Sequence, residues 1–299
     1  MSVFVSPIAR TLLDMLGRRR SRHHELGEFV SGALEFDASL FGPLWYGAGL
    51  AHQEGGEERL VPPPRLLQYF PDLGEPDDPV AEWEKAQDKA RARGWIDRAG
   101  QAVPWVSDIM RLLAYASTEA DTRFAPQRGK HVRGLVSIAG DQAVRTRVEG
   151  RKVRIDPVWP TSAYSALVGL WPEITPVAGS AVSIRLEDAE AASKSAAAHQ
   201  GQAQVNATIR ELRARKVRSD DAREYARMVS GERIHDGEFT VAVRDRRGKL
   251  RTPDSVVLLT GSTQGSYLQY LRGEFLVTAP ADPGLVARTL SELAEKLPR

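Results

Sequence analysis

The order of secondary-structure signals repeats once along the chain, and this repetition restricts the folds that the chain can adopt. Each half carries signals for two helices, then four short strands, then one more helix. Anchor sequences in the two halves are offset by 119 to 122 residues. The anchor pairs are Arg91-Ala92-Arg93 with Arg213-Ala214-Arg215, Gly129-Lys130 with Gly248-Lys249, and Val153-Arg154-Ile155 with Phe275-Leu276-Val277. The repetition predicts a duplicated α+β unit whose two meanders form one sheet with a pseudo-twofold axis, although unrelated α+β halves can also agree by chance.

Strand and loop signals precede the first helix. Residues 34–46 alternate loosely and hold four aromatic side chains, which predicts a strand followed by a turn at Gly42-Pro43. Residues 48–79 contain Gly55-Gly56 and several prolines, so we expect a connector without regular structure.

Proline and glycine mark the helices of the first half. Asp78 can cap, and Pro79 can begin, a helix that runs to about Arg93 and ends at Gly94. A second helix is predicted from Pro104, because apolar residues recur after it at helical spacing. We expect these two helices to form a hairpin. The strands predicted after it are 121–125, 131–139, 142–149 and 151–156, followed by a helix at 161–170.

The second half repeats this order after a strand at 181–186. Residues 189–208 hold eight alanines, which predicts a linker or a surface helix. Leu212 lies in the first helix of a second hairpin, and Ser219 caps the next helix, which ends before Gly231. The strands predicted next are 237–245, 255–260, 266–271 and 275–279, followed by a helix from Asp282-Pro283.

Composition excludes several classes of protein. Hydrophobic residues make up 42% and charged residues 27% of the 299 residues, which is typical of a folded globular protein. No apolar run reaches the ~18 residues that a membrane span requires. The chain has no cysteine, which excludes disulfides and thiolate sites and fits the cytoplasm. Residues 1–28 are expected to be an N-terminal extension, disordered or a short helix, because their cationic cluster follows the apolar stretch that it would precede in a signal peptide.

Signatures of catalysis and cofactor binding are absent from the sequence. It contains no GxxxxGK[ST], GxGxxG, HExxH or GxSxG motif. Its six histidines do not pair at helical spacing on any predicted helix. We therefore predict no catalytic residue, no metal site, no cofactor and no enzymatic activity.

Charge is distributed unevenly. Residues 51–84 carry nine carboxylates and two arginines, while the predicted strands from 131 to 156 alternate apolar residues with arginine and lysine. This alternation predicts one apolar and one basic sheet face. A basic face fits a solvated surface, an acidic protein partner or nucleic acid, but the strands lack the interleaved aromatics of nucleic-acid platforms.

Several segments together resemble one known family. The most distinctive are 212–270, which contains GEFTVAVRDRRG, and 275–294, which begins FLVTAPADPG. The matching first-half segments are 34–45, 90–97, 121–158 and 167–186. In this order they resemble the EspG family, the secretion-associated cytosolic chaperones of actinobacterial type VII (ESX) systems. The resemblance covers about residues 30 to 299 and rests on diffuse patterns over the whole chain.

This resemblance implies a fold and a function. The fold is α+β, with a central antiparallel sheet of two pseudo-twofold-related meanders flanked by two helical bundles. We divide it at 29–186 and 187–299, both halves forming one domain. The implied function is a non-catalytic chaperone in the cytoplasm, monomeric or homodimeric, that binds the PPE tip of a PE/PPE heterodimer or another type VII substrate. Nucleic-acid binding and membrane insertion are not expected; a basic-sheet module that binds nucleic acid or acidic proteins is the alternative.

The resemblance places partner binding on the sheet and the second helical bundle. By position, the candidate partner-binding residues are Gln127, Arg128, Lys130, His131, Arg133, Leu212, Tyr225, Met228, Arg244, Leu259, Tyr267 and Gln269. Each has a role in the core or at the surface as its alternative.

Overall fold

An antiparallel sheet runs through the computed structural model, which describes residues 32–54, 57–60, 70, 78–127 and 130–298. The strands are β1 Leu34–Asp37, β2 Ala51–Glu54, β3 Glu57–Leu60, β4 Thr118–Gln127, β5 Lys130–Ala139, β6 Gln142–Glu149, β7 Lys152–Val158, β8 Val182–Arg185, β9 Arg233–Arg244, β10 Leu250–Arg251, β11 Val257–Ser262, β12 Gly265–Arg272 and β13 Phe275–Pro280. The α-helices are α1 Phe41–Gly47, α2 Pro79–Ala92, α3 Pro104–Tyr115, α4 Ala163–Val168, α5 Leu186–Ala196, α6 Gly201–Ala214, α7 Ser219–Val229 and α8 Pro283–Glu295.

Eleven strands form one sheet in the order β1-β7-β6-β5-β4-β9-β11-β12-β13-β8, with β10 paired to β9. Every paired strand in it is antiparallel. The order places one meander, β4 to β7, beside the other, β9 to β13. The predicted α+β fold with a central antiparallel sheet of two meanders is confirmed.

The two meanders join where β4 pairs with β9, and this pairing is symmetric. Thr118 lies opposite Val243, Asp121 opposite Thr240, and Phe124 opposite Gly237. Adding 119 to 118, 121 and 124 gives 237, 240 and 243, so the register maps onto itself when the halves are exchanged. The pair Asp121 and Thr240 therefore marks the pseudo-twofold axis.

Each half also begins with an edge strand. β1 pairs with β7, the last strand of the first meander, and β8 pairs with β13, the last strand of the second. Because β8 pairs with β13, it belongs to the second meander, although it lies before residue 187, where the predicted second half begins. Leu34–Arg299 form one compact unit. The division of this unit into two halves stays a prediction, and the predicted extension 1–28 lies outside the described residues.

Helices cover both faces of the sheet. On one face α4 and α8 pack against each other and against the strands around the β4–β9 junction, with Leu167, Phe239 and Leu290 in one buried cluster. On the other face α7 packs against β8 and β13, and its Tyr225 contacts a cluster that includes Tyr267 of β12. α3 packs against β5 and β6 in the first half. Helices α1–α3 and α5–α7 form the two bundles.

The prediction for residues 38–46 was wrong. β1 ends at Asp37, whose carboxylate accepts a hydrogen bond from the Ser39 amide at 3.0 Å and starts a 3₁₀ turn. Pro43 then lies within the first turn of α1 rather than in a β-turn, a position that proline tolerates because the first helical amides have no partner to lose. Phe41, Leu44 and Trp45 recur at i, i+3 and i+4 and are buried. In the sequence, this helical spacing resembles the loose alternation of a strand.

The predicted connector at 48–79 also contains regular structure. β2 and β3 form an antiparallel pair, with Ala51 opposite Leu60 and Glu54 opposite Glu57, while residues 55–56 lie outside the described part of the chain. The remaining connector residues at 61–69 and 71–77 lie outside the described part of the chain.

Predicted helix positions agree closely with the structure. Asp78 caps α2 by accepting a hydrogen bond from the Ala81 amide at 3.0 Å, and Pro79 begins the helix. α1 packs against both α2 and α3, and α2 and α3 have few direct contacts with each other, so the predicted hairpin is not a closely packed pair of helices. The alanine-rich residues 189–208 form most of α5 and the first half of α6. Ala189 and Ala192 are buried because small side chains let α5 approach its neighbours closely.

Lys216 ends α6 in an unusual conformation. Its φ is 66°, and no other non-glycine residue in the described ranges has a positive φ. The Val217 amide donates to the Leu212 carbonyl and the Lys216 amide to the Arg213 carbonyl, both at 3.0 Å. This is a Schellman cap, whose left-handed position glycine normally occupies.

Replacing Lys216→Gly is expected to raise the free energy of unfolding by about 1 kcal/mol, because glycine adopts this conformation without a Cβ clash. Urea unfolding measures the change. Lys216→Ala, which removes the ammonium but keeps the Cβ, is the control and should leave stability within about 0.5 kcal/mol. Equal effects of the two variants would contradict the assignment of strain to the backbone.

Replacing Gly237→Ala is expected to destabilise the junction between β4 and β9. A Cβ at Gly237 would lie 2.1 Å from the Arg123 carbonyl oxygen and 2.7 Å from Phe124 Cβ. Such overpacking costs about 1–3 kcal/mol, measurable by chemical unfolding. Asp236→Ala, an exposed neighbour, is the control. An unchanged unfolding midpoint for Gly237→Ala would show that β4 and β9 accommodate the added Cβ without loss of stability.

Candidate functional site

The strand register corrects the predicted separation into an apolar and a basic sheet face. Arg145 lies directly opposite Val136, and Arg133 lies opposite Val148. Residues directly opposite each other share a face, so arginines occur on both faces together with valines. The prediction of one basic face was wrong, because alternation within a strand does not fix its phase relative to the next strand.

Carboxylates neutralise most of the cations on β6 and β7. The ion pairs are Arg145–Asp156 at 3.0 Å, Arg154–Asp156 at 2.8 Å, Lys152–Glu35 at 2.7 Å and Arg147–Glu149 at 2.8 Å. The hydrogen bond from Lys152 holds the pKa of Glu35 below its ordinary value. These strands therefore present a network of mixed charge, which lacks the surplus of free cations that a phosphate backbone requires.

The predicted hairpin residues lie at the tip of β4 and β5. Gln127 and Lys130 pair across the tip, while Arg128 lies outside the described residues. His131 is exposed, and Arg133 is half-buried on the face away from α4 and α8. Contact of this tip with a partner stays a prediction.

Three of the predicted partner-binding residues lie in the core. Leu212, Met228 and Leu259 have no exposed surface. The first two belong to the cluster under the second bundle and Leu259 to the cluster under α4 and α8. In this structure they support the surface from below and do not reach it.

Arg244 holds two turns together. Its Nε donates to the Ala116 carbonyl at 3.1 Å and its Nη1 to the Gly248 carbonyl at 2.8 Å. The guanidinium thus links the end of the first bundle to the turn after β9. A partner that used Arg244 would compete with these two bonds.

Tyr225, Tyr267 and Gln269 meet at one cleft of about 230 Å³. It lies between the second bundle and strands β12 and β13. The other residues that line it are Leu186, Ala189, Glu190, Ser193, Ala196, Gln204, Thr208, Val229, Arg233 and Leu276. The structure therefore brings three of the predicted residues, from two distant segments, to a single site.

The cleft is lined by apolar and polar side chains in similar measure. Both tyrosines are buried, and burial raises the pKa of Tyr225, so its hydroxyl stays protonated. Gln269 Nε2 donates to Thr278 Oγ1 at 3.0 Å, which fixes the amide. Cavities that enclose small-molecule ligands usually measure about 300–1,000 Å³. The cleft is smaller and suits one or two protein side chains.

Several lining residues were not predicted. Val229 lies one helical turn after Tyr225, and Ala189, Ser193 and Ala196 form one face of α5. Spacing of i, i+4 and i+7 is the sequence signal for these residues. No such signal identifies Arg233, because it reaches the cleft from the start of β9.

Within the described ranges, no group of three His, Asp or Glu side chains is placed to hold a metal ion. No helix in the same ranges is both long and apolar enough to cross a bilayer.

His235 lies beside the β4–β9 junction in a confined position. Its ring centroid is 6.0 Å from that of Trp171, and a Cβ at Gly261 would lie 2.3 Å from the ring. Nε2 is buried without a hydrogen-bond partner. Burial lowers the pKa of His235, and the nearby Asp236 only partly opposes this effect.

Comparison with known proteins identifies the fold and the family. The sequence model of the EspG family matches residues 56–292, most of the chain. The chain belongs to the EspG family. A solved structure of the Mycobacterium tuberculosis type VII secretion system chaperone EspG5 in complex with the PE25-PPE41 dimer is similar, with a TM-score of 0.64 and 16% identity, covering 89% of this chain and 97% of that chain. At this identity the likeness shows the fold of an EspG protein. A comparison with curated proteins found no match.

Stability of this EspG-family protein is expected to fall as the pH drops through about 6.5, the ordinary pKa of histidine. Because the pKa of His235 is lowered in the folded state, the unfolded chain binds more protons below that pH. His235→Gln should lose this part of the dependence. Urea unfolding of both proteins at about pH 7.5 and about pH 5.5 measures the change in the free energy of unfolding with pH. The same change in both proteins would contradict the confinement of His235.

Proposed function

We propose that this protein is a cytosolic chaperone of a type VII secretion system that binds the PPE subunit of a PE/PPE heterodimer. It keeps the heterodimer soluble and delivers it to the export machinery. The observation that carries the proposal is the likeness to EspG5, whose solved structure contains the PE25-PPE41 dimer, over 89% of this chain. Membership of the EspG family supports the same function.

The geometry supports binding of a protein surface. A carrier of aggregation-prone segments needs contact area and a pocket for anchoring side chains, and it needs no reacting group. The cleft around Tyr225, Tyr267 and Gln269 provides such a pocket, and its lining includes the apolar Leu186, Val229 and Leu276 as well as the exposed Glu190 and Arg233. We assign it the role of receiving an apolar side chain of the PPE subunit.

The alternative of a basic-sheet binding module has little support. The cations of β6 and β7 are paired with carboxylates, so little free positive charge remains there for nucleic acid or an acidic protein. The cleft is also below the usual size of a substrate pocket, which favours a non-catalytic role.

Co-expression with candidate PE/PPE pairs tests the function. We expect a complex that survives affinity purification and elutes as one species in size exclusion with light scattering, which also gives the oligomeric state. A PE/PPE pair that is insoluble alone should become soluble in the complex. If every candidate pair stays insoluble and unbound, the proposed function fails.

Filling the cleft with Ser193→Trp is expected to weaken binding of the PE/PPE dimer at least about tenfold, because the indole occupies the space for the anchoring side chain. Lys194→Trp is the matched control, since Lys194 is the next residue on α5 and does not line the cleft. It should change the affinity less than about twofold. Calorimetry of the purified complexes measures both, and equal losses would place the binding surface elsewhere.

A further inference from the structure

Three cations at the end of α6 have no carboxylate partner among the described residues. Arg210, Arg213 and Lys216 are exposed, and none of them forms an ion pair with a carboxylate of the described ranges. The cations around them are paired: Arg215 with Glu211 at 3.0 Å, Arg223 with Asp220 at 3.3 Å and Arg227 with Glu224 at 2.6 Å. The free positive charge of this region is therefore concentrated on one helix end.

A shallow groove runs along the same side of α6. It has a volume of about 470 Å³ and is lined by Asn206, Ile209, Arg210, Arg213 and Ala214. These positions follow i, i+3, i+4, i+7 and i+8, which defines one outward stripe of the helix. Gln204 and Thr208, which line the cleft, lie on a different side of α6. The groove is thus a second surface, separate from the cleft.

The backbone at Lys216 strengthens this observation. A lysine occupies the left-handed position at the end of α6, where glycine would avoid the strain. Strained residues held against such a cost are candidates for a role outside stability. At Lys216, the retained feature is an exposed ammonium next to Arg213.

The composition of the stripe identifies the class of partner. Helices that lie on membranes carry large apolar residues such as Trp, Phe and Leu, whereas Ile209 is the largest apolar residue here. Single-stranded nucleic acids stack on aromatic side chains, which the stripe lacks. An open surface with small apolar residues and cations at helical spacing is complementary to an amphipathic helix with carboxylates on one side.

We propose that the outward stripe of α6, with Lys216, is a docking surface for an acidic helical segment of a partner protein. The segment places small apolar side chains over Ile209 and Ala214 and its carboxylates against Arg210, Arg213 and Lys216. This surface does not depend on the proposed binding of PE/PPE proteins, which uses the cleft.

Designed peptides test this docking surface. One peptide carries glutamates at i, i+4 and i+7 among alanines, so that they lie on one side of a helix, and the other has the same composition in scrambled order. We expect the patterned peptide to bind at least about fivefold more tightly in fluorescence anisotropy, with affinity falling as salt screens the charges. Equal binding of both peptides would overturn the helical geometry.

Charge-reversal variants locate the contact. Arg210→Glu with Arg213→Glu is expected to weaken binding of the patterned peptide at least about tenfold. Arg246→Glu with Arg247→Glu makes the same change in charge at two exposed arginines of the turn after β9 and is the matched control. It should cost less than about twofold. Equal losses of peptide affinity in the two double variants would show that only the net charge of the protein matters and would overturn the proposal.

Vesicles of phosphatidylserine and a single-stranded oligonucleotide serve as competitors. If the vesicles or the oligonucleotide displace the patterned peptide at a lower concentration than unlabelled peptide does, the assignment to a protein partner is overturned. The α6 variant should still bind PE/PPE proteins with unchanged affinity, since the cleft is intact. A failure of PE/PPE binding in the unmodified protein would therefore leave the peptide result unaffected.

Discussion

The hydrogen bonds between β4 and β9 join two halves into one sheet, and the positions of the other layers depend on them. In an antiparallel pair, the twofold axis through two directly opposite residues is perpendicular to the sheet. Here the axis passes between Asp121 and Thr240, whose side chains are hydrogen-bonded. A rotation about this axis exchanges the two halves but does not interchange the two faces of the sheet. The last helix of each half, α4 and α8, therefore lies on the same face, where the two pack together. Both bundles lie on the other face for the same reason.

The side chains do not follow this symmetry, and the difference creates the candidate site. In the first bundle, large aromatic residues fill the interior, with the rings of Phe41 and Trp45 stacked at 5.3 Å. In the second bundle, the face of α5 is built from alanine and serine, and Tyr225 of α7 closes the space only in part. The second bundle therefore has a cleft beside the small side chains of α5, whereas large aromatic side chains occupy the interior of the first bundle.

Local signals made much of the fold predictable, and contacts between distant segments account for the rest. β6 has the predicted bounds of 142–149 and α2 begins at Pro79 as predicted, because the Gly140-Asp141 turn and the Asp78 cap act within a few residues. The phase of Arg145 relative to Val136 depends on the register between strands, which alternation within one strand does not specify. The cleft is lined by residues of six elements, so sequence reasoning named Tyr225, Tyr267 and Gln269 but could not bring them together.

α6 separates the two surfaces for which we propose partners. On its inner side Leu212 is fully buried in the bundle core. At its end the Arg215 guanidinium contacts Asp188 of α5 at 3.3 Å and Glu211 of its own helix at 3.0 Å. These contacts hold α6 against α5, so an occupant of the outward stripe has no direct path to the cleft. Coupling between the two surfaces would require movement of α6, and a movement that breaks a close-packed interface is costly. The structure therefore favours two independent surfaces, one on each side of a fixed helix.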